Sequence, residues 1–312
     1  MHLGDWEDLF ARPFRDLWPL MATASALREQ RVGSGISLCV IINAKSGLCS
    51  QDCAFCAQSR VSQAKIKRYP LLALDELVAA AQHAAGQGAA RFSIVTSGRG
   101  IVKEQEQETI LQAIAAIRAS TNLKVCVSLG ILEPDFLQAL AVAGVHRYHH
   151  NLETAASYFH QICTAHTYAE RLQTIQSAQA AGLAVCVGGI FGLGESVAQR
   201  WEVAQALKQL AVDSIPLNFL HPIAGTPLGS RPLLSPLEGL KIILAFRLSF
   251  PDKRLIICGG RTPTLRSLAP LMFAAGADAL MTGDYLTTQG RLPDEDLQML
   301  ADQGLHPTDG DD

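Results

Sequence analysis

The segment ISLCVIINAKSGLCSQDCAFCAQSR, Ile36 to Arg60, joins two kinds of sequence. Ile36–Asn43 is a β-branched, apolar run of strand length. The loop behind it is polar and sets Cys49, Cys53 and Cys56 within eight residues. It is longer than a plain strand-to-helix connection requires. How the rest of the chain continues this strand-then-loop unit decides the fold.

Seven further runs repeat the first: Arg91–Thr96, Leu123–Leu129, Val145–Asn151, Ala184–Ile190, Ser214–Phe219, Arg254–Gly259 and Ala279–Thr282. Between them lie stretches of helical period such as LDELVAAAQHAAGQG, ETILQAIAAIRAS, TYAERLQTIQSAQAAG, SVAQRWEVAQALKQLA and LRSLAPLMFAAG, several ending at a glycine suited to a C-cap. Alternating strands and helices predict a parallel sheet with right-handed crossovers. Eight strands predict closure, giving an α/β fold of the (β/α)8 TIM-barrel type. An open doubly wound sheet is the alternative. Barrel sites lie at the carboxyl ends of the strands, which is where the three-cysteine loop falls.

The 312 residues, 48% hydrophobic and 18% charged, suffice for one large core. A net charge of −3 gives no global attraction to nucleic acid or to an anionic membrane, so a small-molecule substrate is expected. In residues 1–35, Asp5, Glu7, Asp8, Arg12 and Arg15 interrupt any apolar run. That segment is predicted to be an N-terminal helical extension with Trp6, Phe10, Phe14 and Leu17 facing the body of the fold, not a signal peptide or membrane span. A cytoplasmic, reducing location follows, in which the eight cysteines serve ligation or packing. The barrel is expected over 36–306 and a flexible acidic tail over 307–312.

Close-set thiolates select zinc, copper(I) or an iron–sulfur cluster. A zinc site built of paired C-x-x-C units needs a second pair, which the sequence lacks. The spacing Cys49-x3-Cys53-x2-Cys56 instead supplies three ligands of a cubane cluster and leaves its fourth iron open to a substrate or cofactor. With Phe55 just before the last cysteine, this motif resembles the signature of radical S-adenosylmethionine enzymes. The resemblance implies a [4Fe–4S] cluster whose open iron takes the amino and carboxylate groups of S-adenosylmethionine. It also implies reductive cleavage of that molecule to methionine and a 5′-deoxyadenosyl radical.

HNLETA, HTYAERL, GGIFGLGES, GTPLG, GGR and YLTTQGR follow in order over nearly the whole chain. Together with the cysteine loop they resemble the biotin synthase family. That resemblance implies a sulfurtransferase acting on dethiobiotin, with sulfur drawn from a second, sacrificial iron–sulfur cluster. An electron donor such as flavodoxin or ferredoxin, and a homodimer, are implied with it. In the family, three strand cysteines and an arginine bind a [2Fe–2S] auxiliary cluster. Cys126 and Cys186 match two of those cysteines, while Ser93 and Ile256 stand where the third cysteine and the arginine are expected. Cys39 and Cys258 are additional thiols. Cys39, Cys126, Cys186 and Cys258 fall on the first, third, fifth and seventh predicted strands, and alternate strands share a layer inside a barrel. The expectation is a redistributed auxiliary site, either [2Fe–2S] or a larger four-cysteine cluster. Burial as small hydrophobes is the plain alternative. Cys163 fits no such ring and is read as a packing or loop residue.

The same resemblance implies Phe55, Asn151, Glu153, Arg171, Gly188 and Ile190 as contacts of S-adenosylmethionine. Glu153 would serve the ribose hydroxyls, Arg171 the methionine carboxylate, and the glycine-rich segment at Gly188 the adenine. Asn218, Thr287, Thr288 and His149 are implied for dethiobiotin, with an equal case for a structural role of His149. Arg261, or Lys65, Lys67 and Arg68, would meet the substrate carboxylate. No catalytic side chain is expected, because the cofactors carry the chemistry. Two other functions are weighed: another radical enzyme of this fold, such as a hydrogenase maturase or carbon-skeleton isomerase, and a non-catalytic iron–sulfur electron carrier. The four strand cysteines and YLTTQGR speak against the first, and cleavage of S-adenosylmethionine would exclude the second.

Overall fold

The strands form where the apolar runs place them. In a computed structural model that describes residues 1–309, ten strands occur. They are β1 Gly35–Lys45, β2 Arg91–Thr96, β3 Lys124–Ser128, β4 Arg147–His149, β5 Ala184–Cys186, β6 Gly189–Phe191, β7 Ser214–Phe219, β8 Arg254–Ile257, β9 Ala279–Met281 and β10 His306–Pro307. Every pairing between them is parallel, in the order β10-β1-β2-β3-β4-β5-β7-β8-β9, with β6 beside β7. β9 pairs back onto β1, so the sheet closes into a (β/α)8 barrel and the open-sheet alternative falls. Cys39 marks the seam, opposite Arg91 on one side and Met281 on the other.

Three local expectations change. The run Ala184–Ile190 is two strands, β5 and β6, because the rung after Val187 N–H to Ser214 O would need an N–H from Pro216, which has none. Chain and chain then approach closely, and a Cβ on Gly188 would lie 1.9 Å from the Pro216 carbonyl oxygen. The pattern LRSLAPLMFAAG is not one helix but ends in a 3-10 turn at Arg266–Leu268 and a short helix at Leu271–Ala274, broken where Pro270 offers no N–H. Finally, the segment assigned to the acidic tail begins in the sheet: Pro307 lies opposite Ile36, and Thr308 N–H donates to Ile36 O. Residues 310–312 of that tail lie outside the described residues.

The N-terminal extension is helical at Leu3–Ala11 and Trp18–Val32. Trp6 and Leu17 are fully buried, whereas Phe10 and Phe14 are half-buried. Trp6 packs edge-on against Phe246 of the outer helix Pro236–Ser249. A buried ion pair completes the attachment: Asp278, fully enclosed before β9, accepts from Arg247 Nη2 at 2.9 Å, Arg31 Nε at 2.7 Å and Leu255 N–H at 2.8 Å. Truncating it would leave the buried Arg247 and the part-buried Arg31 without their carboxylate. Asp278→Ala is expected to lower stability by about 3–5 kcal/mol in chemical denaturation, with fluorescence of the N-terminal tryptophans changing early in the transition.

Candidate active site

Two adjoining cavities open at the carboxyl ends of the strands. The inner one, about 340 Å³, lies within the barrel and is lined by Cys39, Cys126, Cys186 and Cys258. The outer one, about 200 Å³, is lined by Cys49, Cys53 and Cys56 together with Arg171 and His166. Phe55, Val95, Ser128, His149, Asn151, Glu153 and Leu286 line both and form their common wall.

The four inner thiols line this one cavity. Burial pushes Cys126 up to about 12 and Cys186 up to about 11, and lifts Cys258 well above the ordinary thiol range. Neighbouring thiols add to each shift, Cys39 among them in all three. Arg147 works in the opposite direction on Cys126 and Cys186. Ser93 and Ile256 also line this cavity, so both substituted positions face it. Four soft ligands around one cavity suit a metal–sulfur cluster.

In the outer cavity, burial raises Cys56 to about 11, while the backbone N–H groups of Gln58 and Ser59 oppose the shift. Such donors stabilise a thiolate. Arg171, on the helix Tyr168–Ala180, donates through Nε to Asn151 O at 2.5 Å and through Nη2 to Glu153 Oε1 at 2.8 Å. Glu153 follows β4 in a left-handed conformation, φ 67°, which a β-bridge to Gly189 holds in place. Its second oxygen, Oε2, is buried without a hydrogen-bond partner. A buried carboxylate oxygen with no donor beside three converging thiols fits a ligand that brings hydroxyl groups. The residues present therefore fit a cluster with S-adenosylmethionine. Burial, with a smaller contribution from the Arg171 charge, holds His149 down to about 4, so the imidazole in the common wall is neutral at physiological pH.

Ile190, Asn218, Thr287 and Thr288 line the inner cavity. Asn218 accepts from Gly259 N–H at 3.0 Å and donates to Gly189 O at 3.3 Å, leaving one amide N–H for a ligand. Lys65 and Lys67 stand beside Thr287 and Thr288 in a neighbouring cavity. Two assignments are corrected. Gly188 lines neither cavity, and the space it saves is taken by Pro216. Arg261 is buried against Asp296 and the Met281 carbonyl, away from both cavities, so its charge is already used.

Sequence reasoning passed over Arg91 and Arg147, which line the inner cavity, and gave only a packing or loop role to Cys163, whose sulfur lies 3.9 Å from Cys53 Sγ. An arginine opening a strand resembles a solvated end, and a lone cysteine outside any spacing pattern gives no signal. The one available clue is the sequence CTAHTY, where Cys163 and His166 are a helical turn apart and just precede Arg171.

Residues 45–207 match the Radical SAM superfamily and residues 216–306 the Biotin and Thiamin Synthesis associated domain. The chain is 50% identical over 291 residues to the biotin synthase of Heliobacterium modesticaldum, covering 93% of this chain and 89% of that protein. It is 50% identical over 286 residues to the biotin synthase of Geobacter sulfurreducens, covering 92% and 87%. Among solved structures, methylornithine synthase superposes with a TM-score of 0.85 at 18% identity, covering 98% of this chain and 94% of that one. The FeFe-hydrogenase maturase of Carboxydothermus hydrogenoformans gives 0.83 at 19%, covering 99% and 76%. These last two likenesses concern the fold alone.

The raised thiol values carry a pH expectation. In metal-free protein, alkylation of Cys126, Cys186 and Cys258 is slow at pH 8, because these sulfurs remain protonated, and accelerates about tenfold per pH unit as the thiolate fraction grows. Site-resolved mass spectrometry checks this; rates independent of pH would contradict the buried-thiol description.

Proposed function

This chain belongs to the biotin synthase family of radical S-adenosylmethionine enzymes, and from that membership we infer how its two cavities divide the reaction. It is a sulfurtransferase that converts dethiobiotin to biotin by radical-mediated sulfur insertion, with a [4Fe–4S] cluster and S-adenosylmethionine. When bound, these groups supply the one-electron chemistry that opens unactivated C–H bonds. The observation that carries the division of labour is the common wall: two sets of thiols face two cavities that share seven lining residues, Glu153 and His149 among them.

In this reading Cys49, Cys53 and Cys56 hold the [4Fe–4S] cluster. Arg171 has five N–H groups, of which those to Asn151, Glu153 and His166 use three. One N–H remains on each terminal nitrogen, the pair that a methionine carboxylate takes bidentately. Glu153 Oε2 receives a ribose hydroxyl, and Asn151, Phe55 and Ile190 complete the pocket. Asn218, Thr287, Thr288 and the neutral His149 position dethiobiotin between the two thiol sets, with Lys65 and Lys67 near its carboxylate. Holding the reacting carbon at one wall and excluding water is the chain's own contribution.

Cys39, Cys126, Cys186 and Cys258 hold the auxiliary cluster. Four thiols, with Ile256 in place of the family's arginine, suit a cluster larger than [2Fe–2S] and able to carry an additional sulfide as donor. The chain divides into a helical segment, 1–35, and the barrel from residue 36. Reduction by flavodoxin or ferredoxin, a homodimer and a cytoplasmic location extend the inference from the family. No helix among the described residues is long and apolar enough to cross a membrane.

Anaerobic reconstitution followed by S-adenosylmethionine, dethiobiotin and a strong reductant is expected to yield both biotin and 5′-deoxyadenosine by mass spectrometry. Deoxyadenosine without biotin would remove the substrate assignment and leave the radical chemistry. For the auxiliary site, Cys39→Ala and Cys258→Ala are each expected to change iron and sulfide counts and the Mössbauer spectrum. An auxiliary signal unchanged in both variants would exclude the four-cysteine cluster.

A further inference from the structure

We propose that the exposed face formed by Leu48, Arg60, Val61, Lys65, Lys67 and Arg68 is the docking surface for an acidic one-electron carrier protein that reduces the cluster of the three-cysteine loop. The inference rests on the assignment of Cys49, Cys53 and Cys56 to the [4Fe–4S] cluster. The face is continuous because the two stretches of chain that carry it are hydrogen-bonded to each other. Arg60 N–H donates to Gln51 O at 2.9 Å, Gly47 N–H donates to Gln58 Oε1 at 2.9 Å, and Ser46 and Tyr69 exchange backbone hydrogen bonds at 3.1 Å. A Cβ on Gly47 would lie 2.6 Å from Arg68 Cγ, so the stem of that arginine rests against the loop.

Charge is segregated on this face. The chain has a net charge of −3, yet residues 46–70 hold Arg60, Lys65, Lys67 and Arg68 against a single acid, Asp52. All four cations are exposed. Asp52 is turned inward, where its carboxylate accepts from the backbone N–H groups of Thr164 and Ala165. Arg60 lies 3.3 Å from Asp52 Oδ2 but keeps over half of its side chain in solvent. Among these cations stand two exposed apolar side chains, Leu48 at 80% exposure and Val61 at 44%. Leu48 takes a left-handed backbone, φ 52°, that suits Asn or Asp better than a large apolar residue, and it adds no burial to the core. An apolar centre inside a charged rim is the composition of a docking patch.

The chemistry of the site says what occupies the patch. Reductive cleavage of S-adenosylmethionine needs an electron from outside the chain. One electron passes from carrier to cluster, and no bond forms or breaks in that step. Cys49 follows Leu48 directly and is part-exposed, so the cluster loop meets solvent at this face. Electron-transfer partners bury small interfaces, and charge complementarity then sets the rate of their encounter. The basic rim selects an acidic carrier, and Leu48 and Val61 seat it over the loop.

Lys65 and Lys67 also border the cavity at Thr287 and Thr288, so the test uses Leu48 and Arg60. Leu48→Asn and Leu48→Asp both suit the left-handed backbone and differ in charge. In anaerobic stopped-flow measurements on the reconstituted holoenzyme, reduced flavodoxin is expected to reduce the cluster of Leu48→Asp about tenfold more slowly than that of wild type. Leu48→Asn and Arg60→Gln are expected to fall between. Photoreduced deazaflavin, a small donor that needs no docking face, is expected to reduce wild type and variants at one rate. In calorimetric titration, oxidised flavodoxin is expected to bind Leu48→Asn more weakly than wild type, while heparin binds both alike. Wild-type rates and affinities for flavodoxin in all three variants would overturn the proposal. Equal slowing with deazaflavin would also overturn it, as would heparin and flavodoxin binding that weaken together in Leu48→Asn, the mark of a general polyanion surface. A wild-type protein that deazaflavin reduces without any S-adenosylmethionine-responsive paramagnetic signal would instead overturn the cluster assignment beneath it.

Discussion

Strand β1 is hydrogen-bonded along both edges, to β2 and to β9, and through this double pairing the sheet has no free ends at that seam. Once the sheet is closed, residues of alternate strands that point inward must share one interior. Four of those positions here are cysteines, and closure alone brings side chains separated by as many as 219 residues, Cys39 and Cys258, around one cavity. The low-dielectric interior then decides their protonation, holding Cys126, Cys186 and Cys258 as neutral thiols unless a metal replaces the proton. An open sheet of the same strands would spread these residues along a face.

A second constraint operates at the common wall. Arg171 is buried and bonds simultaneously to the backbone at Asn151, the carboxylate of Glu153 and the ring of His166. Asn151 and Glu153 follow β4 and His166 precedes the helix Tyr168–Ala180, so the guanidinium fixes the exit of β4 and the start of its own helix together. Glu153 adopts a left-handed backbone that a residue with a Cβ rarely takes, and the bridge to Gly189 keeps it there. The result is a wall whose polar groups are oriented before any ligand arrives, which is what positioning chemistry requires.

Much of this was legible in the chain itself. Two strands, Arg91–Thr96 and Ser214–Phe219, have the predicted bounds, because a parallel barrel strand is buried on both faces and reads as an apolar run. The three-cysteine loop announced its chemistry through spacing, which is local. The misreadings share a different cause. β5 and β6 separate because of Pro216, a residue on another strand; Gly188 is small because of that same strand; Arg261 is neutralised by Asp296, 35 positions later. Nothing local to these residues records those partners.

The strand and helix succession, the triad of loop thiols and the parity of the four strand cysteines can all be read along the chain. These depend on hydrophobic period and on spacing, which operate over a few residues. The shared wall between the two cavities, the pairing of Arg171 with Glu153 and the contact of Cys163 with Cys53 come into view in the folded chain. Those arrangements depend on barrel closure and on loop packing across more than a hundred positions, where distance in space is unrelated to distance along the chain.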